Sequence, residues 1–269
     1  MINKLLFLFV SISIFTIGLL AENVSTYLVG AYLDEETAQK KLESAGFEVI
    51  ASYEPVKNGT TLIFTNDALK KEAAKPGRAY IAILRLFIDK KEKMISFTNP
   101  IYFGKAFMQD DYNKKIFRAQ YDAINREFAG LKNSVDYLDM KSLASYHFMM
   151  GMPYYEDNDE LAEGKNETLL AKARAYKKGK YLLFELKLSN NSTLLGYDLA
   201  KRTKKFVKKI GRANGAVLPY CISIEDEKAH SLEAKYYLAV SYPLLSMSKF
   251  TTIATVPGAI KKDLSKPFK

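Results

Sequence analysis

His147, Met149, Met150 and Met152 place four soft or borderline metal ligands within six residues of one another. That donor set suits Cu(I). Strand alternation, however, sends Phe148, Met150 and Met152 to one face and His147 and Met149 to the other. Methionine also fills irregular gaps in apolar cores, so packing is the plainer reading of the run. The second histidine, His230, stands in no recognisable catalytic motif. The chain holds no Gly-rich phosphate loop, no Cys-x-x-Cys, no His-Glu-x-x-His and no haem-attachment motif. Catalysis by a nucleophile needs a positioned base beside it, and the sequence shows no such pairing. A non-enzymatic protein without a cofactor is the expectation. Cys221, the single cysteine, has no partner for an internal disulfide and sits in an apolar run that reads as a buried strand.

Basic residues are the next asymmetry. The net charge is +10, and Lys201, Arg202, Lys204, Lys205, Lys208, Lys209 and Arg212 cluster on one expected helix over 198–210 whose apolar face is Leu199, Phe206, Val207 and Ile210. Such a surface attracts an acidic protein or an anionic membrane, although a solvated helix face has the same composition. The 18 tyrosines, in pairs such as Tyr236-Tyr237, read as strand residues with one ring on each side.

The elements that position these residues begin after an export signal. One lysine precedes residues 5–20, which carry no charge. This layout is that of a secretory signal covering 1–21, cleaved after Ala21, with an uncleaved membrane anchor as the alternative. No cysteine follows the run, which excludes a lipoprotein anchor. The protein is therefore expected in the periplasm or otherwise exported, and export disfavours nucleic acid as a partner.

The remainder reads as a duplication. Segments 46–62 and 179–195 align without a gap, each preceded by a Glu-Thr pair (Glu36-Thr37, Glu167-Thr168) and followed by an aspartate (Asp67, Asp198). Gly77-Arg78 and Gly211-Arg212 each introduce an apolar run, and Asn99-Pro100 and Tyr242-Pro243 each close a strand. The first domain spans 24–131, a linker 132–144, and the second domain 145–269. In the first, strands are expected over 26–33, 47–53, 60–65, 79–88 and 94–98, and helices over 34–45, 67–75 and 110–131, with Asn58-Gly59 as a hairpin turn. Ile116, Phe117, Tyr121, Ile124 and Phe128 give the last helix one apolar face. In the second, a strand over 146–152 opens the domain, and helices cover 167–178 and 251–264.

Leu218-Pro219, the acidic turn Glu225-Asp226 and the strand ending in Asn99-Pro100 resemble the pattern of the family catalogued as domain of unknown function 302, in two divergent tandem copies. The resemblance implies an α+β fold of two β-α-β4-α units, TBP-like or helix-grip-like, each an antiparallel sheet packed by a long C-terminal helix. By analogy with helix-grip proteins it also implies an apolar cleft between helix and sheet. The leading functional expectation is an envelope binding module for a partner protein or an apolar small molecule, with Phe117, Tyr121, Phe128 and Tyr146 lining the groove. Membrane docking through the basic helix and copper carriage at His147, Met149, Met150 and Met152 are the alternatives.

Overall fold

The computed structural model describes residues 22–189 and 191–269, with only the backbone of 212–214, so the expected signal at 1–21 and the side chain of Arg212 lie outside the described residues. Local signals set the first helices. Asp34 caps α1 (Glu35–Ser44), its carboxylate accepting the Thr37 N–H at 2.9 Å, while Ala38 and Leu42, four apart, are buried. Before it come β1 (Asn23–Ser25) and β2 (Tyr27–Ala31). After it, β3 (Glu48–Val56) and β4 (Gly59–Thr65) form a hairpin through Asn58, whose φ of 63° is the left-handed conformation asparagine tolerates. Asn66 caps α2 (Asp67–Ala73). A 3₁₀ turn at Ala79–Ala82 leads into β5 (Leu84–Asp89), which hairpins to β6 (Met94–Thr98).

The helix expected over 110–131 is present but shorter, and a second helix that was not expected precedes it. Pro100 begins α3 (Pro100–Met108), capped by Asn99, and the chain breaks at Gln109, with φ of 52°, before α4 (Lys114–Glu127). Asn-Pro had read as a corner, but proline at the first helical position lacks only an N–H that no helix would use. Two short strands follow, β7 (Lys132–Asn133) and β8 (Tyr137–Asp139), the latter pairing with β1.

The second half opens on β9 (Asp159–Glu163), and residues 146–152 form a loop where a strand was expected. The polar β9 escaped notice because it is an edge strand, paired only with β13. Then come α5 (Asn166–Ala175), β10 (Leu182–Lys187), β11 (Ser192–Tyr197), α6 (Phe206–Ile210), β12 (Tyr220–Glu225), β13 (Lys228–Ser231), α7 (Ala234–Ser241), α8 (Met247–Thr251) and α9 (Val256–Ser265). The basic helix is thus shorter than expected. Tyr236-Tyr237 lie on α7, not on a strand. Glu233 caps that helix, and it is buried nearly all round, so its apolar run carries no amphipathic period to separate helix from strand.

The architecture is α+β, with antiparallel sheets and several helices. Sheet one runs β3-β4-β5-β6-β2-β7 and sheet two β10-β11-β12-β13-β9, the same order but for the added β7. Their ladders correspond residue by residue. Leu62 faces Leu86 and Phe87 faces Ser96 in sheet one, as Leu195 faces Ile222 and Ser223 faces His230 in sheet two. Arg85 and Cys221, Phe87 and Ser223, and Asp89 and Glu225 therefore hold equivalent places. The halves also exchange contacts. The Ala79–Ala82 turn lies on β11 and β12, while the Arg212–Val217 turn lies on β4 and β5. One apolar core runs through both.

Candidate functional site

Alternation on β12 turns Ile222 and Ile224 toward α5, the face from which Tyr197 of β11 donates its hydroxyl to Ala173 O, while Tyr220 at the start of the strand packs its ring on Tyr237 at 5.1 Å. Cys221, Ser223 and Glu225 consequently face the first half. In the first half the place of Ser223 is taken by Phe87, whose ring packs where a Cβ on Gly215 would come within 2.3 Å of it. Ser223 fills no such volume. A cleft of about 180 Å³ remains, lined by Gly77 and Tyr80 from the first half and Asn158, Ser223, Glu225, Asp226 and His230 from the second.

The walls are held from behind. Tyr155 donates its hydroxyl to Gly77 O at 2.7 Å, and the Gly77 N–H donates to Glu225 Oε2 at 3.2 Å. Arg78 lies over the Tyr155 ring at 5.5 Å and pairs with Asp111 at 2.9 Å. Four residues that line this cleft each carry a buried atom with no hydrogen-bond partner within the protein: Tyr80 Oη, Asn158 Oδ1, Ser223 Oγ and His230 Nδ1. Buried polar groups are nearly always satisfied, so such a concentration is what a ligand or ordered water would complete. Burial pushes the His230 imidazole below its ordinary pKa, with Glu160 opposing, and pushes the Glu225 carboxyl up, with the Gly77 N–H opposing. The arrangement is a set of acceptors, a neutral imidazole and two carboxylates. Ser223 and His230 pair across the ladder but share no hydrogen bond, so in this geometry the imidazole does not activate that hydroxyl.

Tyr80 also closes a smaller inner cavity of about 10 Å³, at the lower limit for one water. There Arg85 donates to Pro219 O at 3.0 Å and Cys221 Sγ at 3.3 Å. Burial raises the Cys221 thiol, and its strand setting is the one its apolar neighbours implied.

The residues singled out from sequence lie elsewhere. Phe117 is buried and stacks on Tyr112 at 5.4 Å, and Phe128 is buried edge-on to Phe97 at 4.7 Å. Tyr121 is half-buried beneath Arg118, and Tyr146 donates to Ala239 O, its own pKa pushed up to about 12 by burial. Phe117 and Phe128 belong to the apolar core, and Tyr121 and Tyr146 are half-buried against it. Lys201, Arg202, Lys205, Lys208 and Lys209 are exposed, while Lys204 binds Asp198 at 3.0 Å, together with the Tyr53 hydroxyl. An open hollow of about 340 Å³ separates Lys201, Lys204, Lys205 and Lys208 from Lys57 and Glu54. His147 Nδ1 lies 2.8 Å from Met149 O, a carbonyl, and its ring meets Tyr154 at 4.4 Å. Met149 and Met150 are exposed and Met152 is half-buried. Because 146–152 is a loop, strand alternation no longer separates these side chains. Among the described residues no group of three or more His, Cys, Asp or Glu could hold a metal ion.

Sequence reasoning noted His230 without assigning it and missed Tyr80, Asn158, Ser223, Glu225 and Asp226. One signal was available: polar residues at alternate positions of β12 in an otherwise apolar strand. No family model, no curated protein and no solved structure matches the chain.

Proposed function

We propose that this chain is an exported binding module for a small amine-bearing molecule, held in the cleft between two copies of one α+β unit. Four unpartnered buried polar atoms on residues that line one cleft carry the reading. The carboxylates of Glu225 and Asp226, with Asn158 Oδ1 and His230 Nδ1 as acceptors, suit a ligand rich in N–H donors. This replaces the apolar ligand first expected. The repeated sheet order supports the tandem organisation that the family resemblance implies, and the uncharged run at 5–20 supports export.

Thermal-shift screening against small amines tests the proposal. Binders should raise the melting temperature of the wild type and leave that of Ser223→Leu unmoved, because the leucine occupies the cleft as Phe87 does in the other half. Glu225→Gln should weaken binding by about tenfold or more, the worth of a charge-assisted hydrogen bond. A screen in which no amine shifts the wild type, or shifts both proteins equally, refutes the assignment.

A further inference from the structure

Among the described residues, every large apolar side chain that stands exposed lies in 135–154 or 244–247. These two segments are distant in sequence and adjacent in space. The Asp136 carboxyl, between exposed Val135 and Tyr137, accepts the Leu244 N–H, and Phe148 stacks on Phe250 of α8 at 5.9 Å. Met150 is 94% and Val135 82% exposed, far beyond what packing leaves by accident on one face. Lysines stand around this face: Lys249 lines the hollow beside Asp136 and Leu244, Lys209 donates to Thr252 O just past α8, and Lys141 follows β8.

The entry of the chain into the fold identifies what covers this face. Ser25 of β1 pairs with Tyr137 and Asn23 with Asp139, and the Met140 N–H donates to Glu22 O at 2.9 Å. The chain preceding Glu22 therefore meets the folded body beside Met140, at the end of β8 away from Tyr137. Two residues, Ala21 and Glu22, separate the end of the uncharged run at 5–20 from Asn23, a reach of about 10 Å. A bilayer that receives this run, during export or as an anchor, approaches the body at the Met140–Lys141 end of β8, on the same short strand as Tyr137. Apolar tips with lysines around them are the composition of a surface that settles among lipid headgroups.

We propose that this face docks on an anionic phospholipid bilayer, with Val135, Tyr137, Met149, Met150, Leu244 and Met247 entering the headgroup region. The absence of tryptophan gives a direct test. Met150→Trp and Lys91→Trp each place a single indole in the full-length chain. Lys91 lies in the β5–β6 turn, at the Ala31–Met94 end of sheet one, whereas β1 and Asp136 adjoin the Tyr27 end. On phosphatidylglycerol–phosphatidylcholine vesicles containing brominated lipid, fluorescence of Met150→Trp should shift to the blue and be quenched, and that of Lys91→Trp should do neither. Adding Leu244→Asp to Met150→Trp should lower vesicle partitioning by about tenfold. Equal quenching of the two indoles, or none, overturns the proposal. So does an indole at position 150 that is already shielded without vesicles, which would assign the face to residues 1–21 or to a second copy of the chain.

Discussion

Tyr102 and Tyr236 are the third residues of α3 and α7, and each donates its hydroxyl to the other's helix: Tyr102 to Val240 O at 2.7 Å, Tyr236 to Ala106 O at 3.3 Å. The exchange is reciprocal, like an interface between identical subunits folded into one chain. Both tyrosines are buried. Removing the Tyr102 hydroxyl leaves the Val240 carbonyl short of a donor, so Tyr102→Phe should cost about 1–3 kcal/mol; Ala106 O keeps the Gln109 side-chain amide as a donor, so Tyr236→Phe should cost less. Urea denaturation should show a single transition in the wild type and both variants, because the core is continuous across the halves. Two resolved transitions would contradict a shared core.

Within the first half, sequence reasoning found most elements because local chemistry announces them: Asp34 as a cap, Asn58-Gly59 as a turn, and alternation through β4 and β6. It misplaced what tertiary packing decides. The buried α7 reads as a strand because all its faces are apolar, and the edge strand β9 reads as a loop because it is polar. The cleft was invisible for a different reason. It exists because Ser223 stands where Phe87 stands in the other half, and that equivalence appears only when the two ladders are in register.

Phe87 plugs its half by lying in space that Gly59 and Gly215 leave free. A Cβ at Gly215 would come within 2.3 Å of the ring, closer than van der Waals contact allows. Gly215→Ala should destabilise by about 1–3 kcal/mol through overpacking. Phe87→Leu should make the same alanine nearly neutral, a coupling that a double-mutant cycle reads directly. Additive losses would show that the ring and the glycine do not share that space.

His230 gives stability a dependence on pH. Burial favours its neutral form, so the folded protein takes up this proton at lower pH than the unfolded chain, whose histidine titrates near 6.5. As pH falls through about 6.5 the unfolded chain binds more protons and stability declines; the loss is complete once the folded imidazole also titrates. Glu225 works in the opposite direction, since its raised carboxyl keeps a proton that the unfolded chain has released, and stability falls as pH climbs through that interval. Melting temperatures of His230→Gln between pH 5 and 7 should therefore fall less steeply toward acid than those of the wild type. A parallel pair of curves would mean that His230 titrates alike in both states.

Asp198 joins the halves at the opposite side of the basic segment, accepting from Tyr53 of β3 and from Lys204, with carboxylate and ammonium each about one-fifth exposed. Tyr53 is 6% exposed and its phenol is driven up by burial and by the neighbouring carboxylate. Asp198→Ala strips both groups at once. The lysine can turn to solvent but the phenol cannot, so the cost should be about 1–3 kcal/mol and arise mainly at Tyr53. Tyr53→Phe should then cost less in the Asp198→Ala background than in the wild type, because the unsatisfied hydroxyl is gone. Chemical denaturation of the two single variants and the double variant measures the coupling, and equal losses in both backgrounds would place the energy in the Asp198–Lys204 ion pair instead.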